Sequence, residues 1–345
     1  MKFTEAIREA FITAMSQDEK VLVYGLGADD PRGIFGTTLG LQDQFGKERV
    51  FDMPTSENAM TGIAIGAGLR GYRTVLTHQR LDFALLSLDQ IINNAAKWHF
   101  MFGGQESVPI TIRMIMGRGW GQGPTHSQNL QALFAHIPGL KVVMPTTPKQ
   151  AKGLMLSSIF DDDPVIFLEH RWLHNSSGDV PDGDYRFPLG KAELIQEGND
   201  ITVVSISYMT VETRRVLQKL QDSSISVEHI DLVSIRPIDW ATIQDSVKKT
   251  GRLLVVDTGH RTGSVASEIV ATVCSTQFHD LKTAPQIIAI PDVPTPTSSA
   301  LTKYFYPTAK EIYNSICEMT QKSVPIDLEV STPHDVPGSW FNGPF

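Results

Sequence analysis

Apolar positions along this chain fall into two rhythms. Phe3, Ile7, Ala10, Phe11 and Ala14 recur at intervals of three and four, so an amphipathic helix begins almost at the first residue. Short continuous apolar runs follow: Val21–Tyr24, Thr74–Leu76, Val108–Ile112, Lys141–Val143 and Val165–Leu168. Segments of helical period lie between them, near 57–70, 86–101, 128–136 and 148–160. Strands that are apolar throughout, rather than alternating, predict a parallel sheet covered on both faces by helices. From Arg171 to Phe187 the pattern collapses into His174-Asn175-Ser176-Ser177-Gly178-Asp179 and Pro181-Asp182-Gly183-Asp184, the composition of a linker. A second set then begins, with strands over 201–206, 226–232, 253–257 and 286–290 and helices near 210–221, 239–249, 264–274 and 308–320. The expected fold is α/β, with two doubly wound domains: a larger one over 1–185, a smaller one over 186–322, and an extended tail over 323–345 that holds Trp340 and Phe341.

Composition narrows the function more than the fold. A chain of 345 residues, 41% hydrophobic and 20% charged, has the length for two domains and a sizeable core. The net charge of −8, with no run of Lys or Arg, argues against nucleic acid as a main partner. Cys274 and Cys317 stand alone in their regions, so neither a disulfide framework nor a thiolate metal site is expected. No apolar run reaches the roughly 18 residues of a membrane span. The immediate start of the first helix leaves no room for a leader, so a cytoplasmic location is expected.

Chemistry concentrates first at Asp52-Met53-Pro54-Thr55-Ser56-Glu57, where a strand-like approach and a proline turn lead to a carboxylate opening a helix rich in small residues. Gly62, Gly66 and Gly68 each cost that helix about 1 kcal/mol, which implies that something packs closely against it. A carboxylate beside such a surface is expected to be desolvated, which raises its pKa and suits it to share a proton with a buried heterocycle. The plainer alternative is that Glu57 merely complements the positive end of the helix.

The order of further motifs decides between these. Leu88-Asp89-Gln90-Ile91-Ile92-Asn93-Asn94-Ala95-Ala96-Lys97, Pro124-Thr125-His126-Ser127-Gln128, Ala135-His136-Ile137-Pro138-Gly139, Ser234-Ile235-Arg236-Pro237-Ile238-Asp239 and Pro291-Asp292-Val293-Pro294-Thr295-Pro296 succeed one another at characteristic spacing. Over roughly residues 1–320 the chain resembles the beta subunit of the thiamine diphosphate-dependent 2-oxoacid dehydrogenases, with transketolase-like pyrimidine-binding and C-terminal domains. The resemblance implies that Glu57 hydrogen-bonds the cofactor's aminopyrimidine and activates it. It implies that Phe83 stacks on that ring, that Gln79 approaches cofactor or substrate, and that His126, on a loop with several glycines, moves a proton at the reacting centre. Oxygens of Ile110, Ser158, Asp161 and Asp163 match a structural potassium site in the family; an acidic turn closing a helix is the competing reading. His136 reads as structural, and the His170-Arg171-Trp172-His174 cluster is open between substrate, partner and solvent.

One family signature is missing from the chain. Thiamine enzymes hold the cofactor's diphosphate and Mg2+ with a Gly-Asp-Gly string and a later Asn, and no Gly-Asp-Gly occurs here. The resemblance therefore implies an alpha subunit that carries the diphosphate-binding domain. It also implies an alpha2beta2 assembly with a beta–beta contact, and a lipoyl acyltransferase as acceptor of the acyl group. Leu26 stands where the family has an acidic residue, and His78 and Arg80 add polarity to an otherwise apolar string. These departures leave the 2-oxoacid unspecified. They keep open two alternatives, the C-terminal half of a split transketolase acting on a sugar phosphate and a regulatory subunit without catalysis.

Overall fold

A computed structural model of the chain describes residues 1–118, 121–221, 223–326 and 328. Trp120 and the tail residues Trp340 and Phe341 lie outside the described residues. The strands in chain order are β1 (Val21–Gly25), β2 (Val50–Phe51), β3 (Arg73–His78), β4 (Ile110–Met116), β5 (Lys141–Val143), β6 (Val165–His170), β7 (Glu193–Gln196), β8 (Ile201–Ser205), β9 (Val227–Asp231), β10 (Ser234–Arg236), β11 (Leu253–His260) and β12 (Gln286–Ile290). They form two sheets, ordered β10-β5-β6-β4-β3-β1-β2 and β12-β11-β8-β9-β7. Neighbours run parallel except at one edge of each sheet, where β10 opposes β5 and β7 opposes β9. The expected architecture of two α/β domains is therefore the observed one.

The apolar runs became strands because both sheet faces are covered. Every residue of β4 and of β6 is buried. Helix Phe3–Gln17 turns Phe3, Ala6, Ile7, Ala10, Phe11, Ala14 and Met15 inward, the stripe that its periodicity predicted, and helix Pro148–Ile159 lies in the same core cluster. Each large side chain buried in this way contributes about 1.5–3 kcal/mol.

Three features depart from the expected pattern. β10 comes from the second half of the chain yet completes the first sheet. The helix expected over 86–101 is segmented, with a single turn at Leu81–Ala84, a wide π-type turn over Gln90–Ala95 and a regular turn at Ala96–Met101. In the wide turn, Asn93 Nδ2 donates to Asp89 Oδ1 (2.8 Å) and Asn94 Nδ2 to Gln90 Oε1 (3.0 Å). Two short helices, Leu41–Phe45 and Ser299–Phe305, carry too few residues for a period to show. Among the described residues no helix is long and apolar enough to cross a membrane.

Candidate functional site

Ligands of parallel α/β sheets bind beyond the carboxyl ends of the strands, and the candidate residues lie there. β1, β2, β3, β4 and β6 deliver in turn Leu26, Glu57, Gln79 with Phe83, His126, and the 170–174 cluster.

The ends of β1 and β2 are fastened to each other. Asp52 Oδ1 accepts from Gly27 N (2.9 Å) and Met53 N (2.8 Å). Tyr24 stacks on Phe51 at 4.9 Å and donates its hydroxyl to Met60 O at 3.1 Å. These contacts seat the first turn of helix Glu57–Gly68. Glu57 is 5% exposed, and among the described residues its carboxylate receives no hydrogen bond. The glycines of this helix, which the sequence led one to expect closely packed by something, are not all packed within the chain. Gly68 lies against Pro109 and Val108 and Gly62 against Gln90; a side chain at Gly66 would meet nothing, and Ile63 is exposed on the helix.

Gln79 Nε2 donates to Leu26 O at 2.8 Å, so this side chain buttresses the turn after β1. Phe83 and His126 come together with ring centroids 5.3 Å apart and planes at 89°. His126 Nδ1 lies 3.0 Å from Thr125 Oγ1. The loop that carries His126 is pinned by the second domain: Gly123 has φ +68°, and any side chain there would collide with Thr297. Nearby, Gln131 Nε2 reaches Asp257 Oδ1 (2.7 Å) and Thr258 Oγ1 (3.2 Å), a second tie between domains.

The 170–174 cluster faces inward, not solvent. His170, Arg171, Trp172 and His174 are all buried. Arg113 forms a two-pronged pair with Glu169, and His174 Nε2 lies 2.9 Å from Glu169 Oε2. Burial pushes the Glu169 carboxyl up, but Arg113 and His174 together hold it below the ordinary range. Burial pushes His174 down to about 4 despite Glu169, so it is neutral and donates from Nε2. His170 stacks on Tyr208 at 5.0 Å, and burial, reinforced by Arg118, His174 and Arg80, drives its pKa well down. Arg118 is sandwiched between Trp172 (3.6 Å) and Tyr306 (4.1 Å). His136 is exposed and lines a separate groove with Arg236 and Glu268 rather than the core.

The acidic turn after helix Pro148–Ile159 is crowded with protein cations. Lys141 Nζ lies 2.7 and 2.8 Å from the Asp161 carboxylate oxygens, Arg73 Nη1 donates to Asp161 O at 2.9 Å, and His99 Nδ1 is 2.8 Å from Asp163 Oδ1. A potassium ion on the oxygens of Ile110, Ser158, Asp161 and Asp163 would share the Asp161 carbonyl with Arg73. Among the described residues no group of three or more His, Cys, Asp or Glu side chains is placed to hold a metal ion.

Comparison with known proteins follows the same division. Residues 1–175 match the family described as the transketolase pyrimidine binding domain, and residues 190–312 the transketolase C-terminal domain. The chain is 39% identical over 317 residues to the beta subunit of acetoin:2,6-dichlorophenolindophenol oxidoreductase of Cupriavidus necator, covering 89% of this chain and 94% of that one. It is 38% identical over 320 residues to the pyruvate dehydrogenase E1 component subunit beta of Rickettsia felis, covering 93% and 98%. It is 36% identical over 323 residues to the 2-oxoisovalerate dehydrogenase subunit beta of Bacillus subtilis, covering 93% and 99%. Among solved structures, a split gene transketolase described as an inactive beta4 tetramer superposes with a TM-score of 0.76 at 19% identity, covering 93% of this chain and 99% of that one, which is a likeness of fold.

Proposed function

The chain belongs to the family of transketolase-like beta subunits that includes the E1 beta components of the 2-oxoacid dehydrogenases, and on that premise we propose that it supplies the pyrimidine side of a thiamine diphosphate site in a heteromeric enzyme. The reaction is cleavage of the bond between a 2-oxoacid's carboxylate and its carbonyl carbon, with the acyl unit passed onward. The observation that carries this reading is Glu57, a buried carboxylate without a donor at a strand end of the sheet that also delivers the Phe83–His126 pair. A carboxylate left open in this way fits a protonated ring nitrogen of an aminopyrimidine.

Thiamine diphosphate, when bound, would supply a nucleophilic carbon and an electron sink for the bond that breaks. The chain's own residues do the rest. Glu57 holds a proton against the aminopyrimidine. Phe83 presents an apolar ring that keeps water from it. His126 gives or takes a proton at the substrate's carbonyl oxygen, a task suited to an imidazole, whose two ring nitrogens can donate and accept. Gln79 acts at one remove, by holding the turn at Leu26. The diphosphate and Mg2+ fall to an alpha subunit, because the sequence has no Gly-Asp-Gly. The open face at Gly66 and Ile63 suits a subunit contact in an alpha2beta2 assembly, since glycine allows close backbone approach. A lipoyl acyltransferase is the acceptor in this reading, and a potassium ion at the 161–163 turn would be structural. The split-transketolase alternative has weaker support, with 19% identity against 36–39% for the oxidoreductase beta subunits.

Calorimetry and proton exchange test the proposal. The isolated chain should bind thiamine diphosphate weakly, and addition of the alpha subunit should restore binding. In the reconstituted enzyme, Glu57→Gln should slow exchange of the cofactor C2 proton, followed by NMR, by roughly 10²–10⁴-fold. An unchanged rate removes Glu57 from the mechanism, and tight binding by the isolated chain removes the shared site.

A further inference from the structure

The turn after β3 carries a charge that the proposed reaction leaves unused. Arg80 is 5% exposed. Its Nη2 donates to Gln122 Oε1, on the loop that carries His126, while Nη1 is buried without a partner. Two residues earlier, His78 is buried with neither ring nitrogen hydrogen-bonded. Among the described residues no carboxylate is ion-paired with Arg80. Burial disfavours the charged form of Arg80 and Asp82 favours it only through space, since Asp82 Oδ1 takes the Gln128 amide at 2.8 Å and its Oδ2 meets no donor. Glu169 is engaged by Arg113 and His174. On the far side stands another cation, Arg171, which burial and then the charge of Arg80 lower to about 10, while burial, Arg118 and Arg80 disfavour the charged form of His170. A guanidinium held in such a place without a full set of acceptors is unfavourable. That cost is recovered when an anion completes the site.

We propose that Arg80 is a specificity-determining residue that binds a second anionic group, a carboxylate or a phosphate, on the substrate's tail. The substrate would then be an anionic-tailed 2-oxo compound rather than one with a short neutral side chain. The inference rests on the thiamine reading of the same site. The carboxylate that departs as carbon dioxide is the wrong target for Arg80. A buried cation clamped on it would stabilise the ground state more than the transition state, in which that charge is dispersing. A charge on the tail persists through the reaction, so its contact with Arg80 helps binding without opposing the chemistry. The planar guanidinium suits both candidate groups, each of which offers paired oxygens.

The test compares matched pairs on the holoenzyme reconstituted with its alpha subunit, thiamine diphosphate and Mg2+. The pairs are 2-oxoglutarate against 2-oxopentanoate, and 2-oxo-4-phosphonobutanoate, whose phosphonate stands in for a phosphate, against 2-oxopentanoate, each with a dye as electron acceptor. The wild type should favour the anionic member of one pair, on the order of 10- to 100-fold in kcat/KM, and that pair tells carboxylate from phosphate. Arg80→Met should bring the ratio near one, chiefly through KM, and Arg80→Lys should restore part of it. Thermal shifts with glutarate and with inorganic phosphate read binding without turnover: one of the two should stabilise the wild type, and neither should stabilise Arg80→Met. Equal losses on both members of a pair would make Arg80 a brace for the His126 loop and overturn the proposal. So would the absence of any anion preference together with the absence of a thermal shift. Failure of the thiamine reading shows separately, as a wild type that does not accelerate C2 proton exchange, while the thermal-shift arm still reports on Arg80.

Discussion

In the second domain, Thr202 on β8 meets Ser246 Oγ at 2.6 Å and Thr250 Oγ1 at 2.8 Å, and Ser205 meets Thr210 and His229 at 2.7 Å each. Asp231 accepts from Gln150 and Thr210, each at 3.0 Å. At the carboxyl ends of β2 and β3 in the first domain, both nitrogens of His78 and Nη1 of Arg80 are just as dry and have no such partners, and the 5%-exposed Glu57 carboxylate has none either. Both regions bury polar groups, and the two burials differ in kind. The first kind is nearly closed: apart from His229 Nδ1, its donors and acceptors are matched within the chain, and the network orders the fold. The second is open, and an unmatched buried polar group costs about 1–3 kcal/mol, so its persistence points to a ligand or subunit that completes it.

The largest expected effect tests the open region. His126→Ala should lower kcat by about 10²–10⁴-fold while C2 proton exchange stays near wild type, because His126 serves the substrate and not the activation of the cofactor. Normal turnover would make the Phe83–His126 contact mere packing.

Opposite pH responses come next. Burial lowers His78 from 6.5 to about 4, so its contribution to stability is whole above pH 6.5 and is lost as the pH falls toward 4. Burial raises Asp231 from 3.8 to about 6, against the hydrogen bonds from Gln150, Thr146 and Thr210, so its contribution is whole below 3.8 and is lost as the pH rises through 6. Urea unfolding across this range should show His78→Met less acid-sensitive than wild type, and Asp231→Asn should lack the loss above pH 4. Each difference is on the order of 3 kcal/mol at the limit. Parallel pH profiles for the wild type and both variants would erase the contrast. The smallest effect belongs to the closed network. Thr202→Val keeps the shape but leaves Ser246 and Thr250 short of a partner, and should cost about 1–2 kcal/mol in the same unfolding experiment with activity at 25 °C intact.

Much of this was legible in the chain. The stripe Phe3, Ile7, Ala10, Phe11, Ala14 and the runs at β1, β3, β4, β5 and β6 carry their structure in periodicity and continuity, which are local properties. β10 was not legible, since its Ser-Ile-Arg reads as a loop until the open edge of β5 is there to pair with. The meeting of Phe83 with His126 joins segments from the ends of two strands, and only the order of motifs, through the family resemblance, placed them in one site. The character of the 170–174 cluster was hidden for a related reason: His, Arg and Trp in a row read equally well as surface or core, and Tyr208 from the far domain packs on His170 and Trp172.

β10 also bears on how the molecule is made. Ser234 and Arg236 pair with Val143 and Val142, and Met144 N donates to Val233 O at 2.7 Å. A nascent chain that has emerged through the linker therefore holds nearly all of the first sheet but not its last strand, and the edge of β5 stays bare until some fifty residues more have left the ribosome, roughly 3–10 s at ordinary elongation rates. Bare strand edges recruit other strands. During those seconds a neighbouring nascent copy competes with the chain's own β10, and a fragment cut at the linker never leaves that state.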